Sequence, residues 1–415
     1  MIFFRLSITL PQGFPGLDSM NEKIWSKDFV FLILSNFLMY VTYYAILSAL
    51  PIYLVNDLHA SKIQVGLVVG VYTIASVLVR PFSGFALDRF GRRTIFLSAL
   101  IIYSLLFSGY LVALTITSII FLRFAQGLSW GFTTVSGSTI AVDNIPASKR
   151  GEGIGYFALS TTFGMSVGPV IGLFICHQWG YTVMFVSGCF ISFASLACAY
   201  FVHLRKRFLV GKRIRLKWNS LFEKSSIRPS LNVLITMIAY GSLLSFIALY
   251  GREIGIQNSS LYFLIFSIGI AAARLTAGKE FDKKGPRRII TICLILLVIG
   301  FPLLALANNE ILFYLSAVII GFGNGVIFPT FQSIVNNLAD AEHHGVANST
   351  LYTAVDLGMG LGMIMAGIIA QHFSLSAIFW TNSVVCIAGL IFFRFSVLPY
   401  YESRMNQYPP DQLNI

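Results

Sequence analysis

Charged residues are scarce in this sequence. Asp, Glu, Lys and Arg make up 11% of the 415 residues, whereas hydrophobic residues make up 56%. A soluble domain usually contains about 25% charged residues, so this composition excludes an ordinary soluble protein and predicts an integral membrane protein. The five cysteines are odd in number, lie in or beside apolar runs and lack metal-ligand spacing. They exclude a disulfide framework and predict no metal site.

Several motifs are absent as well. No apolar run shows the sustained apolar–polar alternation of a membrane barrel strand. The sequence contains no Walker-type lysine motif and no nucleotide-binding domain, so ATP does not drive a process directly. It also shows no nucleophile paired with a base. We therefore expect neither an enzyme nor a cofactor, and a proton gradient is the expected energy source.

Long apolar runs fill most of the chain. A membrane-spanning helix needs about 20 apolar residues, and twelve runs qualify. They predict an all-α integral membrane protein with twelve transmembrane helices in two pseudo-symmetric six-helix bundles. The predicted spans are residues 29–53, 63–83, 95–115, 117–141, 153–176 and 180–202, then 230–251, 259–278, 289–307, 310–336, 345–370 and 374–396.

A charged turn occurs twice. Arg80, Gly84, Asp88 and Gly91 recur 194 residues later as Arg274, Gly278, Asp282 and Gly285. Glycines continue the repeat at the same spacing: Gly127, Gly131, Gly151, Gly164 and Gly168 match Gly321, Gly325, Gly345, Gly358 and Gly362. The repeat predicts two homologous halves related by an axis along the membrane normal, which is an architecture of secondary transporters.

Cations lie mainly on one side of the predicted spans. The 84–94 turn, the 279–288 turn and the 203–229 loop are basic, whereas the opposite loops contain only Lys62 and Arg252 as full cations. The positive-inside rule makes the basic side cytoplasmic. Both termini are then cytoplasmic, and the expected location is the inner membrane. The net charge of +12 thus reflects topology rather than nucleic-acid binding.

The chain is predicted to have five parts. A cytoplasmic segment (1–28) precedes the first bundle (29–202), a basic linker (203–229) leads to the second bundle (230–396), and a cytoplasmic tail (397–415) follows. The linker is interpreted as a solvated tether or a contact with anionic lipid. The apolar run within residues 1–19 is too short for a signal peptide, and Met20 begins a polar prelude to the first helix. Residues 1–19 are therefore expected to be either a disordered extension or the result of an upstream start codon.

Three motifs occur in order along the predicted spans: GFALDRFGRR at 84–93, LRFAQG at 122–127 and GMSVGPVIG at 164–172. With them the chain resembles the major facilitator superfamily of secondary transporters over nearly its whole length. The first is similar to that family's loop between helices 2 and 3, the second to its helix 4 motif, and the third to the helix 5 motif of drug-efflux antiporters. The resemblance implies alternating access between two bundles.

The 84–93 turn is a candidate latch on the cytoplasmic side. Its arginines can pair with an acid such as Asp143, and the resemblance implies that the turn holds the two halves together in one state. Simple positive-inside topology is the alternative for the cations. Arg80 and Arg274 are expected to snorkel or to brace the latch. The predicted latch residues are Gly84, Asp88, Arg89, Gly91, Arg92, Asp143, Gly278, Asp282 and Gly285.

Asp356 is an acid deep inside a predicted span. It lies roughly 16 Å past Gly345 at the rise of an α-helix, near the middle of a hydrocarbon core about 30 Å thick. Ionisable residues at such depth are usually functional, so Asp356 is predicted to couple proton movement or to bind a cation. A structural acid paired with a neighbour is the alternative.

Arg123 is a cation inside the fourth predicted span. The resemblance implies that Arg123 modulates proton transfer, and bracing of helices is the alternative.

Gly164, Gly168 and Gly172 share one helix face, which Pro169 bends. We expect this face to contact a helix of the other half, so that the bundles can rock without leaking.

A set of polar and aromatic residues is predicted to line the substrate cavity. Its members are Tyr40, Tyr43, Tyr44, Trp130, Tyr240, Asn324, Gln332 and Tyr352.

The sequence thus predicts a secondary active transporter that exports a small organic molecule by proton-coupled exchange. Drugs, metabolites and metallophores all fit this prediction. The predicted partners are a small-molecule substrate, protons and the lipid bilayer, and the predicted state is a monomer. A proton-linked importer of a small metabolite and a transporter-derived membrane sensor are the alternatives.

Overall fold

The structure of the protein is a computed structural model that describes residues 24–113, 115–145, 150–203, 223–259, 261–339 and 344–407. The segment expected to be disordered, 1–19, lies outside these ranges, as does most of the 203–229 linker. All regular elements in the described ranges are helices. The α-helices are α1 (Lys27–Asn56), α2 (Lys62–Phe90), α3 (Arg92–Ser108), α4 (Ile116–Asn144), α5 (Arg150–Tyr200), α6 (Ile227–Glu253), α7 (Leu261–Lys284), α8 (Pro286–Ala305), α9 (Glu310–Leu338), α10 (His344–His372), α11 (Leu375–Phe392) and α12 (Leu398–Gln407).

Polar side chains fix where several of these helices begin. Before α2, the backbone amide of Gln64 donates to the Ser61 hydroxyl at 3.3 Å, and the backbone amide of Ser61 donates to the side-chain oxygen of Gln64 at 2.8 Å. This reciprocal capping satisfies two amide groups that the first helical turn leaves free. Thr115 and Ser118 make the same arrangement before α4. The short polar loops between apolar runs therefore set the helix boundaries.

Nine described helical segments are long and apolar enough to cross a membrane. One of them, in α5, is interrupted at Gly180, which has a φ of 83° and divides that helix into two spans. With α4 and α7 the order accommodates twelve spans. Large apolar side chains such as Phe121, Phe190 and Ile311 are 70–78% exposed. Exposure of this kind suits contact with lipid, and the protein is a multi-pass membrane protein.

The repeat in the sequence is also a repeat in the structure. Gly91, between α2 and α3, has a φ of 89°, and Gly285, between α7 and α8, has a φ of 69°. Both values favour glycine, because a β-carbon crowds this backbone region. The packing repeats as well: Gly127 contacts the backbone of Tyr72, and its counterpart Gly321 contacts the backbone of Phe266. Residues 194 apart therefore occupy equivalent positions.

We refer to residues 24–203 as the first half and to residues 223–407 as the second half. The halves contact each other through α1 and α6, α2 and α10, and α5 and α7. The Lys62 face is the end of the bundle where Asn56, Lys62, Arg252 and Leu375 line a cavity of about 410 Å³. The Arg92 face is the opposite end, with the turns at Gly91 and Gly285.

Candidate functional site

Helices α2 and α10 form a close contact between the halves, which we call the first seam. The two helices run antiparallel from the Lys62 face, where the Lys62 amide donates to the Gln371 side chain at 2.9 Å. A β-carbon on Gly66 would lie 2.6 Å from the Met363 carbonyl oxygen, and one on Gly70 would lie 2.9 Å from the Gly360 carbonyl oxygen. The backbones therefore touch, and no larger residue fits without moving a helix.

A buried ion pair lies at the inner end of the first seam. The guanidinium of Arg80 donates to Asp356 Oδ2 from Nε at 2.7 Å and approaches the same oxygen through Nη2 at 2.6 Å. The Ser76 hydroxyl donates to this oxygen at 2.5 Å. The side chains of Arg80 and Asp356 are 8% and 11% exposed. Among the described residues, no donor reaches Asp356 Oδ1.

The ion pair changes the interpretation of Arg80. The sequence suggested that Arg80 snorkels or braces the latch, and this expectation was wrong: the antiparallel packing of α2 on α10 directs it to Asp356. Asp356 is paired with a neighbour in this structure, and its predicted role in proton coupling stays a prediction. A signal was available, because a cation inside an apolar span needs a partner. Sequence alone could not say which acid lies opposite.

The equivalent contact between α5 and α7, the second seam, contains no acid at the matching position. Arg274 corresponds to Arg80, and it donates to the Thr162 hydroxyl at 2.6 Å and to the Gly325 carbonyl at 3.2 Å. Thr162 corresponds to Asp356 in the repeat. The two seams therefore place an arginine at the same point, but only the first pairs it with a carboxylate.

Three of the four predicted cavity residues of the second half lie on α9 and α10. Tyr352 packs beside the ion pair, with the Arg80 guanidinium 5.4 Å from its ring centroid, yet it is 37% exposed. Tyr352 is therefore a partly exposed neighbour of the ion pair. Gln332 donates to Asn348 at 3.1 Å. Asn324 donates to the Ile320 carbonyl at 3.1 Å within its own helix.

The predicted cavity residues of the first half form an aromatic cluster. Trp130 stacks on Tyr43 with ring centroids 4.6 Å apart and meets Tyr40 edge-on at 4.9 Å. Tyr44 meets Tyr43 at 4.9 Å. Tyr72, which the sequence analysis did not select, adds a ring 5.1 Å from Tyr43. Across the boundary between the halves, the Tyr240 hydroxyl donates to Met165 Sδ at 2.7 Å.

Arg123 is fully buried next to this cluster. Its side chain is 0% exposed, and its guanidinium lies 4.2 Å from the centroid of the Tyr72 ring. None of its three nitrogens donates a hydrogen bond of normal geometry to a described residue. The distance to Tyr72 suits a cation–π contact.

The structure describes part of the predicted latch. Arg92 and Asp143 form an ion pair, and Arg93 donates to the Tyr200 carbonyl at 2.8 Å. Both contacts lie within the first half, so neither joins the two halves in this structure. The side chains of Asp88 and Asp282 and the surroundings of Gly84 and Gly278 lie outside what the structure describes. The role of the latch therefore stays a prediction.

The glycine face of α5 packs differently from the expectation. The nearest neighbours of Gly164, Gly168 and Gly172 are Tyr40, Val41 and Ala45 of α1. These neighbours belong to the first half, so the expectation that this face contacts the other half was wrong. A column of small residues permits close approach of any adjacent helix, and sequence spacing does not identify that helix.

Known proteins share this arrangement. The sequence profile of the Major Facilitator Superfamily matches residues 32–279 and 229–411. The chain belongs to the major facilitator superfamily. As a member of that family it is a transporter, and its two similar halves fit the symmetry expected of transporter folds.

Relatives within the superfamily carry descriptive names. The chain is 26% identical to the multidrug resistance efflux pump PmrA of Streptococcus pneumoniae, over 90% of this chain and 98% of that protein. It is 24% identical to the multidrug resistance protein MdtG of Escherichia coli, over 89% and 94%. It is 23% identical to the staphylopine export protein of Staphylococcus aureus, over 76% and 83%.

Solved structures of superfamily members show the same fold. The nucleoside transporter NupG superposes with a TM-score of 0.71 at 14% identity, over 89% of this chain and 100% of that one. A bacterial homolog of the human lysosomal transporter Spinster also gives 0.71 at 14% identity, over 92% and 96%.

Proposed function

We propose that this protein exports a small organic solute in exchange for protons, and that Asp356 and Arg80 couple the two movements. The ion pair across the first seam is the observation that supports the proposal. Asp356 is a buried acid that contacts the opposite half directly. A group in this position can change its charge and the contact between the halves in one step.

The coupling follows from the energetics of a buried pair. While Asp356 is ionised, it attracts Arg80 and holds α2 against α10. A proton at Oδ1 removes this attraction and leaves Arg80 buried without a counter-charge, which is strongly unfavourable. The halves then separate at the first seam, and water can reach Arg80. Loss of the proton restores the pair, so each cycle ties one conformational change to one proton.

Outward transport is supported by the names of the relatives and by topology. PmrA and MdtG are named for multidrug efflux or resistance, and the staphylopine protein is named for export. The excess of cations at the Arg92 face supports a cytoplasmic Arg92 face and an external Lys62 face. Tyr352 is partly exposed and lies in the part of α10 nearer the Arg92 face, so we propose that an exported solute enters past it from the cytoplasm.

The test uses everted membrane vesicles that respiration has made acidic inside. Proton exit is followed by the fluorescence of the acridine dye ACMA after addition of a cation (ethidium), a neutral compound (chloramphenicol) or an anion (benzoate). We expect at least one compound to restore fluorescence and to accumulate in the vesicles. Asp356→Asn should abolish both signals, because the asparagine amide cannot exchange a proton.

Glu310→Gln is the matched control, since it removes an exposed acid from the first turn of α9. We expect it to behave like the unchanged protein. Proton exchange by Asp356→Asn at the normal rate would refute the coupling role. A compound that leaves the vesicles together with protons would identify a symporter instead of an exporter.

A further inference from the structure

Tyr352 connects the ion pair of the first seam to polar side chains of α9. We infer that Tyr352 is a positioning residue that holds Arg80 against Asp356, and that Gln332 of α9 holds Tyr352 in place. The inference rests on the proposed function, because it gives these two residues control over how readily the coupling pair separates.

The contacts of Tyr352 support this role. The Arg80 guanidinium lies 5.4 Å from the centroid of the Tyr352 ring, a distance that suits a cation–π contact. The ring also packs against Phe328 of α9 with centroids 5.3 Å apart. The Tyr352 hydroxyl lies within reach of the Gln332 side chain for a hydrogen bond. Tyr352 therefore joins an arginine of the first half to α9 of the second half.

Further amide side chains hold Gln332. Gln332 donates to Asn348 Oδ1 at 3.1 Å, and Asn348 donates to Asn336 Oδ1 at 2.8 Å. Gln332 and Asn336 are four residues apart on α9, and Asn348, Tyr352 and Asp356 follow at intervals of four on α10. Each set therefore lies on one helix face. The two faces meet in a row of polar contacts that ends at the ion pair, and networks of this kind rigidify the side chains that they join.

The second seam shows that the repeated fold does not require this row. The positions equivalent to Gln332, Asn348 and Tyr352 are Ser138, Ile154 and Ala158. Ser138 donates to the Val135 carbonyl of its own helix at 3.0 Å, and isoleucine and alanine provide neither a ring nor an amide. Arg274 is held by Thr162 and a backbone carbonyl instead. The row therefore accompanies the arginine that faces a carboxylate.

The expected effect is on the balance between the closed and open forms of the first seam. Arg80 and Tyr352 belong to different halves, so their contact forms only while the halves meet there. An interaction made in one of two states raises the population of that state. A partly exposed cation–π contact corresponds to roughly a three- to tenfold change in an equilibrium. Loss of the Tyr352 ring should therefore favour opening by this factor.

Several groups surround Asp356, and their charges decide how a pH profile is interpreted. Arg80 pairs with Asp356, and Tyr40, Tyr43 and Tyr352 interact with it electrostatically. Guanidinium groups stay charged and tyrosines ionise near pH 10 in water, so none of these described neighbours titrates between about pH 5 and 8. A change of the first seam with pH in that range is therefore assigned to Asp356, as the proposed function requires.

The inference is tested by the distance between spin labels on the two halves. Asn56→Cys and Phe373→Cys carry the labels at the Lys62 face, in a chain without the native cysteines. The protein in nanodiscs is equilibrated over the same pH range and frozen. Pulsed electron paramagnetic resonance then gives the fraction of molecules in which the Lys62 face is closed. In the unchanged protein we expect this fraction to fall as the pH falls.

The variants remove the ring and the hydroxyl separately. Tyr352→Ala, which introduces the residue of the second seam, should lower the ratio of closed to open protein roughly three- to tenfold. The midpoint of opening should then move to higher pH by about 0.5–1 unit, since one proton is coupled. Tyr352→Phe keeps the ring and should have a smaller effect. Gln332→Leu should match it, and the double variant should match either, because both remove the same contact.

Asn337→Leu is the matched control. Asn337 lies on the same helix but donates to the Tyr401 hydroxyl at 3.1 Å, so this variant should leave the closed fraction and the midpoint unchanged. A closed fraction in Tyr352→Ala that equals that of the unchanged protein at every pH would overturn the inference, even if the melting temperature falls. So would an equal loss in Asn337→Leu. Additive effects of Gln332→Leu and Tyr352→Phe would show that Gln332 does not act through Tyr352.

The same measurements separate this inference from the proposed function. If the unchanged protein closes equally at every pH, the coupling role of Asp356 fails, and the closed fractions at a single pH still decide whether Tyr352 positions Arg80. If Tyr352→Ala, Tyr352→Phe and Gln332→Leu all close normally while Asp356→Asn abolishes exchange in vesicles, the inference fails and the proposed function stands.

Discussion

The two seams between the halves occupy equivalent places, but they have different chemistry. In the first seam, Arg80 pairs with Asp356, and the glycines of α2 and α10 bring the backbones together. In the second seam, Arg274 meets the hydroxyl of Thr162, and leucines stand where two of the glycines would be: Leu264 matches Gly70, and Leu173 matches Gly367. One seam thus combines close packing with a titratable pair, and the other has neither at these positions.

The difference indicates how a duplicated architecture can perform a directional task. Two identical seams would respond to a proton in the same way. In the mechanism proposed above, a single acid lets one proton change only one of the two contacts. The second seam would then be a contact that is insensitive to charge, about which the first could open and close. The difference between the seams can be tested by changing the charged pair, the glycines of the first seam or Thr162 of the second.

The largest effect is expected from removing the arginine of each seam. Arg80→Gln leaves Asp356 buried and unpaired, and we expect a loss of about 3–5 kcal/mol. Arg274→Gln removes hydrogen bonds to neutral groups and should cost about 1 kcal/mol. Melting temperatures in detergent micelles measure the difference. The double variant Arg80→Gln with Asp356→Asn should recover much of the loss, because it leaves no isolated charge. Equal losses for the two arginines would mean that the seams are energetically alike.

The next effect concerns the glycines. Gly70→Leu introduces the side chain of the second seam into the first, and its β-carbon would meet the backbone at Gly360. Overpacking of this kind costs about 1–3 kcal/mol and should hold the Lys62 face open. A short bismaleimide linking Lys62→Cys to Gln371→Cys, in a chain without the native cysteines, reports closure. We expect Gly70→Leu to abolish this cross-link. Leu264→Gly, the reciprocal control, should retain it, and an unaffected cross-link in Gly70→Leu would argue against a closed first seam.

The sequence predicted the architecture well because its signals are local. Apolar runs predicted the helices, and the constant offset of 194 residues between pairs such as Gly91 and Gly285 identified the repeat. Long-range partners were harder to predict. Which helix faces Gly164, and which cation faces Asp356, depends on how helices pack, and one sequence contains no direct record of that. The surroundings of Arg123 were only partly predictable. The sequence placed a cation inside an apolar span, but nothing in it identified Tyr72 as the neighbour of that cation.

A smaller effect should follow from making the second seam resemble the first. Thr162→Asp places a carboxylate 194 residues before Asp356, within reach of Arg274. A charged hydrogen bond contributes about 1.5–3 kcal/mol, more than a neutral one. We expect the second seam to be held more tightly and proton exchange in everted vesicles to slow by roughly tenfold. Thr162→Asn is the control of similar size and should exchange at nearly the normal rate. If Thr162→Asp exchanges at the normal rate, the absence of an acid from the second seam has no functional weight.

The smallest effect is expected at the Arg92 face. Arg92 pairs with Asp143 inside the first half, and the two side chains are 27% and 17% exposed. A partly exposed pair contributes about 1 kcal/mol or less. Arg92→Gln should therefore lower the melting temperature slightly and leave the cross-link between positions 62 and 371 intact, because the pair does not join the halves here. Arg92→Glu adds repulsion with Asp143 and tests the latch directly. If it raises cross-linking at the Lys62 face and slows exchange, the 84–93 turn joins the halves in the state with the Lys62 face open. If both variants differ only in melting temperature, Arg92 stabilises the first half alone, and control of the cycle rests with the first seam.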